Sequence, residues 1–492
     1  MKPLVAIVGR PNVGKSTLFN KIVGERIAIV ENLPGTTRDR LYADAEWNGR
    51  VFTLIDTGGL ELGERDDITA RIAAQAQLAI EEADAIVLVV DTVDGITEAD
   101  SEVAEMLRRS GKPLILAANK ADNPGRRQDA VEFYSLGLSE PITVSAISGT
   151  GTGDLLDAIT EVLPPAAEAE ALEDALAGLP KIAIVGRPNV GKSSLVNGIL
   201  GQDRVIVSEI PGTTRDTIDT IVEHQHQQMV LIDTAGIRKR GRVGPGVEKY
   251  SVLRSNRAID RCDVAVLLID GVEGITAQDT HIAGYIHEAA KGIVIVINKW
   301  DIVRERLRAH REAMAAELAV ERPAPKGPKE EEQADAQEYL KLVRERFKFM
   351  PYAPVVFTAA KTRYHVTQVL DHAMRIYETR QIRVATPQLN EIVRDAVQRH
   401  HPAAVQGRPL RIYYATQAEI NPPTFVFFVN DPELIHFSYE RYLENALRHI
   451  FSFEGTVIRL QFRKRARDEG DEEERGKGRR APSHGGKSAR RS

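Results

Sequence analysis

The sequence predicts an α/β protein with two tandem domains, each a mostly parallel sheet with helices on both faces, followed by a small α+β domain. Three observations predict it. The octapeptide GRPNVGKS occurs at residues 9–16 and again at 186–193, each time between an apolar strand-like run and a helix-like segment. Apolar runs then alternate with amphipathic segments, which favours a parallel sheet covered on both faces. A change of composition near Thr386 marks the last domain.

The two octapeptides fit the phosphate-loop pattern G-x-x-x-x-G-K-[ST]. Their glycines let the backbone curl, so that successive N–H groups at a helix start point at phosphate oxygens. Lys15 and Lys192 place a positive charge between the outer phosphates, and two identical octapeptides argue against a chance glycine turn. The predicted phosphate-binding residues of these loops are Gly9, Arg10, Pro11, Asn12, Val13, Gly14, Lys15 and Ser16, and Gly186, Arg187, Pro188, Asn189, Val190, Gly191, Lys192 and Ser193.

Three further motifs repeat in the same order. PGTTRD stands at 34–39 and 211–216, DTGG at 56–59 becomes DTAG at 233–236, and NKAD at 119–122 becomes NKWD at 298–301. The near-constant spacing between the copies predicts a duplicated domain rather than separate coincidences.

The domain boundaries follow from this repeat. The first domain covers 1–163, with strand-like runs at 4–8, 51–55, 85–90, 114–118 and 142–144, and an acidic linker occupies 164–180. The second domain covers 181–382 and includes an inserted, mobile charged loop near 305–350, between two helical pieces. Residues 383–465 predict an α-β-β-α-β domain, and 466–492 a disordered charged tail.

Composition narrows the cellular setting. The chain of 492 residues is long enough for two to four domains, and its formal net charge of −5 indicates no particular partner. Cys262 is the only cysteine, so a reducing compartment fits. No apolar run reaches the roughly 18 residues that a membrane span needs, and the first phosphate loop begins too early for a signal peptide. We therefore expect a cytoplasmic protein without stable membrane association.

The middle motifs predict magnesium and γ-phosphate contacts. Asp56 and Asp233 end strand-like runs, where a carboxylate can hold a magnesium-bound water. A threonine of PGTTRD, Thr36 or Thr37, can close the magnesium shell only when the γ-phosphate is present, which makes an order–disorder switch; Thr213 or Thr214 does so in the second copy. The predicted phosphate contacts here are Asp56, Thr57, Gly58, Gly59 and Leu60, and Asp233, Thr234, Ala235, Gly236 and Ile237.

The NKxD motifs select guanine. Asp122 and Asp301 can accept from two adjacent N–H groups of the guanine edge, and adenine would leave these acceptors unpaired. We expect the asparagines of the motifs to brace the loop and the lysine stems to cover the base plane. The predicted guanine-binding residues are Asn119, Lys120, Ala121, Asp122, Ser145 and Ala146, and Asn298, Lys299, Trp300, Asp301, Thr358 and Ala359, the last two from the looser match Thr358-Ala359-Ala360.

Taken together, GRPNVGKS, PGTTRD, DTGG or DTAG and NKxD, present twice and followed by a small α+β domain, resemble the Der (EngA) family of tandem GTPases over residues 1–465. The resemblance implies two Ras-like P-loop G domains and a KH-like domain that contacts ribosomal RNA. It also implies a role in late assembly of the large (50S) ribosomal subunit, with GTP and GDP as ligands. In such families the second threonine is the magnesium ligand, so the magnesium set becomes Ser16, Thr37 and Asp56, and Ser193, Thr214 and Asp233. We expect a monomer.

The residue that follows the DxxG glycine bears on the hydrolytic step. Ras-like enzymes orient the attacking water with a glutamine just after the DxxG glycine, whereas this chain has Leu60 and Ile237 there. We therefore expect slow intrinsic hydrolysis. Asn12 and Asn189 resemble the asparagines of potassium-activated GTPases, and K⁺ as an activator and a purely bracing asparagine both stay open. Arg38 and Arg215 are assigned no chemistry.

RNA binding has weaker support from the residues themselves. Arg238, Lys239, Arg240 and Arg242 follow DTAG and could couple the nucleotide state to RNA phosphates, although a solvated basic face is the commoner meaning. The last domain has no GxxG loop. Two alternatives therefore stay open: a GTP-gated RNA-binding scaffold with one mainly structural G domain, and a tRNA-modification-type or membrane-linked GTPase.

Overall fold

The computed structural model describes residues 3–24, 42–59, 73, 75–77, 79–80, 83–164, 176, 178–202, 205–208, 219–232, 234, 248–318, 327–402 and 408–464. The chain divides into two compact units, one of residues 1–179 with 240–254 and the other of residues 180–239 with 255–492. The first unit holds the first repeat, and the second unit holds most of the second repeat together with the last domain.

The first unit is built on a six-stranded sheet. Its strands are β1 Leu4–Val8, β2 Tyr42–Trp47, β3 Arg50–Asp56, β4 Ala85–Asp91, β5 Leu114–Asn119 and β6 Pro141–Thr143, and its helices include α1 Lys15–Gly24, α2 Glu98–Ser110, α3 Pro124–Asp129 and α4 Thr152–Val162. The strand order is β2-β3-β1-β4-β5-β6. Only β2, at the edge, is antiparallel to its neighbour, so the mostly parallel sheet agrees with the sequence prediction.

Alternating side chains of β1 explain why both faces of this sheet are covered. Val5 and Ile7 enter a buried cluster on one face with Leu18 of α1. Ala6 and Val8 enter a second cluster on the other face, which includes Leu107 of α2. A strand that is buried on both faces reads as a continuous apolar run, which is why LVAIV could be recognised as a strand in the sequence.

The second repeat forms a seven-stranded sheet of the same design. Its strands are β7 Lys181–Val185, β8 Val205–Ser208, β9 Thr220–His224, β10 Gln227–Ile232, β11 Val264–Asp270, β12 Gly292–Asn298 and β13 Val355–Phe357; helices of this stretch are α5 Lys192–Leu200, α6 Glu248–Arg261, α7 Ala277–Glu288, α8 Trp300–Leu318, α9 Pro328–Arg346 and α10 Val366–Arg380. The order is β13-β12-β11-β7-β10-β9-β8. At the β8 edge, β9 is antiparallel to β10 and β8 is antiparallel to β9.

The stretch near 305–350 contains the two helical pieces that the sequence predicts, but they are longer than expected and leave less room for a loop. Helices α8 and α9, of 19 residues each, occupy most of it, and residues 319–326 between them lie outside the described part of the chain. Buried Tyr339 and Val343 anchor α9 in the apolar cluster of the second repeat. Two apolar anchors one helical turn apart are enough to hold an otherwise charged helix on the domain.

The last domain has the predicted α-β-β-α-β order. Its elements are α11 Thr386–Arg399, β14 Ile412–Ile420, β15 Pro423–Val429, α12 Phe437–Phe451 and β16 Arg459–Lys464. Strand β15 pairs antiparallel with β14 and parallel with β16. Both helices pack on this sheet through one buried cluster, which includes Leu389, Leu443 and Phe427.

Arg380, at the end of α10, joins the last domain to the second repeat. Its side chain is 2% exposed. The guanidinium donates to the backbone oxygen of Ala290 at 3.0 Å, to Oγ1 of Thr456 at 2.9 Å and to Oδ1 of Asn421 at 2.9 Å. Ala290 belongs to the second repeat, whereas Asn421 and Thr456 belong to the last domain. One buried cation therefore binds both domains.

Among the helices in the described ranges, none combines the length and the apolar character that crossing a membrane requires.

Candidate functional site

Each phosphate loop lies between a buried central strand and the helix that follows it, as the sequence predicts. Gly14 and Gly191 stand directly before α1 and α5 with φ of +94° and +100°. A Cβ added at either glycine would lie 2.3 Å from the side-chain nitrogen of Asn119 or Asn298. Glycine is therefore required at both positions, for its backbone conformation and for the close approach of the asparagine.

The phosphate-loop lysines bind the loop itself. Nζ of Lys15 donates to the backbone oxygens of Gly9 at 2.8 Å and Arg10 at 2.7 Å. Lys192 makes the same two bonds in the second copy, each at 2.6 Å. Burial lowers the pKa of Lys15 to about 8; the charge of Asp56 opposes this effect and that of Arg10 adds to it. The ammonium group of each lysine therefore lies against the backbone of its phosphate loop. The phosphate oxygens are predicted to bind at this loop.

The DxxG segment of the first copy lies beside this lysine. Asp56 ends β3, is 4% exposed and accepts a hydrogen bond from the backbone nitrogen of Gly58 at 2.8 Å. A Cβ built on Gly58 would lie 2.8 Å from Cε of Lys15, which shows how closely the two segments approach. The hydroxyl of Thr57 is buried and donates to the backbone oxygen of Ile7, so it ties the DxxG segment to β1. Gly59 closes the described stretch.

Several predicted residues lie outside the described part of the chain: Thr36, Thr37, Arg38, Leu60, Thr213, Thr214, Arg215, Asp233, Ala235, Gly236, Ile237, Arg238, Lys239, Arg240 and Arg242. Of the second DTAG motif the structure describes Thr234, which is buried and whose hydroxyl lies 2.6 Å from that of Thr220. The predictions for the other residues of this set stay predictions.

The asparagines of the NKxD motifs tie two loops together. Nδ2 of Asn119 donates to the backbone oxygen of Val13 at 2.7 Å, and its Oδ1 accepts from the nitrogen of Ala146 at 3.0 Å. In the second copy Asn298 makes the equivalent bonds to Val190 at 2.8 Å and Ala360 at 3.0 Å. Each asparagine thus connects the phosphate loop to the segment predicted to face the base.

The lysines of the same motifs have a fixed partner that the sequence analysis did not identify. Nζ of Lys120 lies 2.5 Å from Oδ2 of Asp91, and Lys299 pairs in the same way with Asp270. Asp91 ends β4 and Asp270 ends β11, the equivalent strand of the second repeat, and both aspartates are buried. Burial acts to raise the pKa of Asp270, but the hydrogen bond from Lys299 and two backbone N–H groups outweigh it, and the net pKa is lowered.

The structure corrects the predicted base loop of the second copy by one residue. Ala360 makes the bond to Asn298 that Ala146 makes to Asn119, so Ala359 and Ala360 are the counterparts of Ser145 and Ala146. Thr358, predicted as a guanine contact, is completely buried and accepts from the backbone of Trp300.

Trp300 is also placed differently from the prediction. Its side chain is 1% exposed and packs against Phe357 at 4.3 Å and Tyr339 at 5.6 Å between ring centroids. The indole therefore belongs to the core of the second repeat, and only its backbone lies in the NKWD loop. Ala121, at the same place in the first copy, is likewise buried.

The phosphate-loop arginines are anchored through a second missed motif. Nε of Arg10 donates to the carboxylate of Asp100, and Nε of Arg187 to that of Asp279. Both aspartates also form a capping box at the start of α2 or α7. The signal was present in the sequence, because DTVDGITEAD at 91–100 and DGVEGITAQD at 270–279 are a further repeated pair.

The asparagines considered for potassium have a distinctive backbone. Asn12 has φ of +67° and Asn189 φ of +64°, and both side chains are exposed. Asparagine tolerates this left-handed conformation better than most residues do. A backbone reason for asparagine therefore exists at both positions, beside the potassium hypothesis.

Comparisons with known proteins agree with this duplicated site. Residues 4–120 and 181–299 match the family described as 50S ribosome-binding GTPase, and residues 383–463 match the KH-domain-like C-terminal domain of EngA bacterial GTPase enzymes. GTPase Der of Chloroflexus aggregans is 52% identical over 478 residues, 95% of this chain and 99% of that protein. GTPase Der of Moorella thermoacetica is 52% identical over 465 residues, 94% and 99% of the two chains. Among solved structures, the G domain of the T. maritima FeoB iron transporter is 29% identical and covers 33% of this chain and 99% of its own, with a TM-score of 0.25.

Proposed function

Because the chain belongs to the Der family of GTPases, we propose that its two G domains are nucleotide-dependent switches that act in late assembly of the large ribosomal subunit. The enzyme hydrolyses GTP to GDP and phosphate. The observation that carries the switch proposal is the repeated asparagine bridge, Asn119 in one domain and Asn298 in the other, between phosphate loop and base loop. Because both copies keep this bridge, the scaffold alternative, in which one site is mainly structural, is less favoured.

We assign the phosphates of GTP to the backbone N–H groups of the two phosphate loops, with Lys15 and Lys192 as the charged partners. Their Nζ atoms donate to loop carbonyl oxygens, which phosphate oxygens replace at small cost because they are stronger acceptors. We assign guanine to the carboxylates of Asp122 and Asp301. Both residues stand at the exposed end of the motif whose asparagine is buried.

Magnesium fits the donors of the first site. Asp56 is a buried carboxylate next to the phosphate-loop lysine, and Ser16 is exposed at the start of α1. Hydroxyl and carboxylate oxygens are the ligands that Mg²⁺ prefers. We propose that Ser16, Thr37 and Asp56 hold it in the first site, and Ser193, Thr214 and Asp233 in the second. When bound, the ion neutralises charge on the phosphates; the chain's own lysines and backbone amides orient them.

Hydrolysis in this chain needs a source of transition-state stabilisation other than a glutamine. The side chains of Leu60 and Ile237 are hydrocarbon and so have no polar atom with which to orient a water molecule. We propose that one K⁺ ion beside Asn12 in the first site, and another beside Asn189 in the second, would supply the missing positive charge; the alternative is that both asparagines serve the backbone alone.

The proposal for the ribosome depends on the last domain. Arg380 and the backbone bond from Ile293 to Gly455, at 2.7 Å, fix this KH-like domain to the second G domain. A nucleotide-dependent change in the second G domain would therefore move the KH-like domain with it. We propose that this domain contacts ribosomal RNA, and that the protein acts as a monomer in the cytoplasm. The tRNA-modification alternative has no comparable support.

Sedimentation of the protein with purified large subunits tests the proposal. We expect association that depends on nucleotide, strong with a non-hydrolysable GTP analogue and weak with GDP. Association that is equal in GTP analogue, GDP and no nucleotide would contradict a switch, and no association with any large-subunit particle would contradict the ribosomal role while leaving the GTPase activity intact.

A further inference from the structure

The base loop of the first guanine site and that of the second are held in place by different side-chain contacts. In the first copy the hydroxyl of Ser145 donates to Oδ1 of Asp122 at 2.6 Å. This single bond ties the base loop directly to the carboxylate that is proposed to read guanine. The same hydroxyl accepts from the backbone nitrogen of Ser148 at 3.2 Å, which rigidifies the loop.

The second copy has no hydroxyl at the equivalent position, because Ala359 is the counterpart of Ser145. Its base loop closes through backbone hydrogen bonds, as the first base loop also does between Ser145 and Thr150, but Ala359 has no side-chain hydroxyl to reach Asp301. Ala359 and Tyr364 exchange both of their backbone hydrogen bonds, at 3.2 and 3.1 Å. The position of the base loop is therefore coupled to the position of Tyr364.

Tyr364 in turn is held by helix α9. Its hydroxyl donates to Oε1 of Glu332, and Oε2 of the same carboxylate lies 3.3 Å from Nη1 of Arg304. Arg304 is on α8, the helix that begins at Trp300 and carries Asp301 in its first turn. The chain of contacts thus leads from the base loop through Glu332 to the helix of Asp301.

Helix α9 is itself held by contacts with the core of the second repeat and with α8. The hydroxyl of Tyr339 donates to the backbone oxygen of Gly271 at 3.0 Å, and its ring meets the edge of Trp300. Arg311 of α8 pairs with Asp335 and Glu331 of α9. Burial and the neighbouring Glu332 raise the pKa of Tyr364 to about 12, so its hydroxyl stays a donor at physiological pH.

We propose that Tyr364 and Glu332 are positioning residues of the second site, which hold its base loop and Asp301 in register and so set its affinity and selectivity for guanine nucleotides. They do by a longer route what Ser145 does directly in the first site. The inference rests on the proposed guanine role of Asp301, and it gives the charged insertion that contains α9 a function at this site.

The test uses the full-length chain with Lys15→Ala, so that nucleotide binding reports the second site. Affinities for GDP and IDP are measured by calorimetry; IDP lacks the exocyclic amino group and so reports how well Asp301 is placed. For Glu332→Ala and for Tyr364→Phe we expect GDP affinity to fall about tenfold and the preference for GDP over IDP to shrink, the size expected for a hydrogen bond to a charged group. The double variant should lose no more than the worse single variant.

A rescue and a control sharpen the result. Ala359→Ser places a hydroxyl where the first copy has Ser145, and we expect it to restore the GDP preference of Glu332→Ala. Glu338→Ala, an exposed glutamate on the same helix, should change neither affinity. Equal losses for GDP and IDP in the Glu332 and Tyr364 variants, with a lower melting temperature, would overturn the inference in favour of simple destabilisation. If Asp301→Asn itself left the GDP preference unchanged, the guanine assignment would fail instead.

Discussion

The side-chain amide of Asn119 donates to the backbone oxygen of Val13 at 2.7 Å, across more than 100 residues of sequence. Asn298 repeats this bond to Val190. The asparagine is therefore more than a brace within its own motif. It fixes the distance between the loop proposed for the phosphates and the loop proposed for the base, which a nucleotide must span.

Replacing Asn119 with alanine should affect both stability and binding. The change leaves the oxygen of Val13 and the nitrogen of Ala146 buried without their partner, at a cost of about 1–3 kcal/mol in the free energy of unfolding. We expect GDP affinity to fall at the first site and stay constant at the second, measured by calorimetry in the Lys192→Ala and Lys15→Ala backgrounds. Asn123→Ala, which removes only a helix cap, is the control. An equal loss at both sites would contradict a local role.

Gly14→Ala should abolish binding at the first site, because its Cβ would lie 2.3 Å from Nδ2 of Asn119 at a φ of +94°. Gly111 provides the matched control. It also has a positive φ, +71°, but a Cβ there meets nothing within 4 Å. Gly111→Ala should therefore cost only backbone strain, about 1 kcal/mol, with nucleotide binding unchanged. Similar binding by the two variants would show that the close approach is unimportant.

Arg380→Met should loosen the last domain from the second G domain. Three acceptors, Ala290, Thr456 and Asn421, lose their buried donor, and we expect unfolding to become less cooperative in calorimetry. Arg383→Met, an exposed change three residues later, should leave the transition unaltered. A single unchanged transition in Arg380→Met would mean that other contacts hold the domains together.

The environment of His287 predicts that the stability of the junction between the second G domain and the last domain depends on pH. Its Nδ1 lies 2.8 Å from the hydroxyl of Tyr352, and burial lowers its pKa below the ordinary 6.5. The groups that face it are Phe349, Tyr352, Glu288, Glu444 and Arg448. Since the folded pKa is the lower one, the unfolded chain takes up the proton first, and stability is lost as pH falls below about 6.5. His287→Gln should flatten this part of the melting-temperature profile. A difference between the two proteins that is constant from pH 8 to pH 5 would contradict the prediction.

The sequence predicted those parts of the site whose residues are adjacent in the chain. GRPNVGKS and NKxD carry their chemistry within a few residues, and strands such as LVAIV are apolar throughout because both faces are buried. Strand β2, YADAEW, is a half-exposed edge strand, and its charges concealed it. Asp91 and Asp100 stand in a repeated segment that the sequence shows, but only folding brings them close to Lys120 and Arg10, so their role as partners was missed.

The misplaced base loop has a specific cause. Thr358 offers a hydroxyl, as Ser145 does, so chemical similarity suggested that the two residues correspond. Backbone pairing decides otherwise: the nitrogen of Thr358 donates to Ile297 at 2.8 Å just as that of Val144 donates to Ala118 at 2.8 Å. The register of a strand against its neighbour is a tertiary property, so the sequence alone does not reveal it. In place of the missing hydroxyl we propose the contact between Tyr364 and Glu332, a residue of α9 that stands 27 positions before Ala359.

Asn12 allows the potassium hypothesis to be separated from a backbone role. Its φ of +67° is a conformation that glycine adopts freely, so Asn12→Gly keeps the loop geometry and removes only the side chain. If the asparagine ligates K⁺, the GTPase rate of the first site should rise in KCl over NaCl in the parent chain and lose this rise in Asn12→Gly. If the asparagine serves the backbone alone, both proteins should respond equally to the two salts. The measurement is single-turnover hydrolysis at constant ionic strength in the Lys192→Ala background. Asn12→Ala removes the same side chain but strains the backbone at this positive φ, so it reports the conformational cost separately.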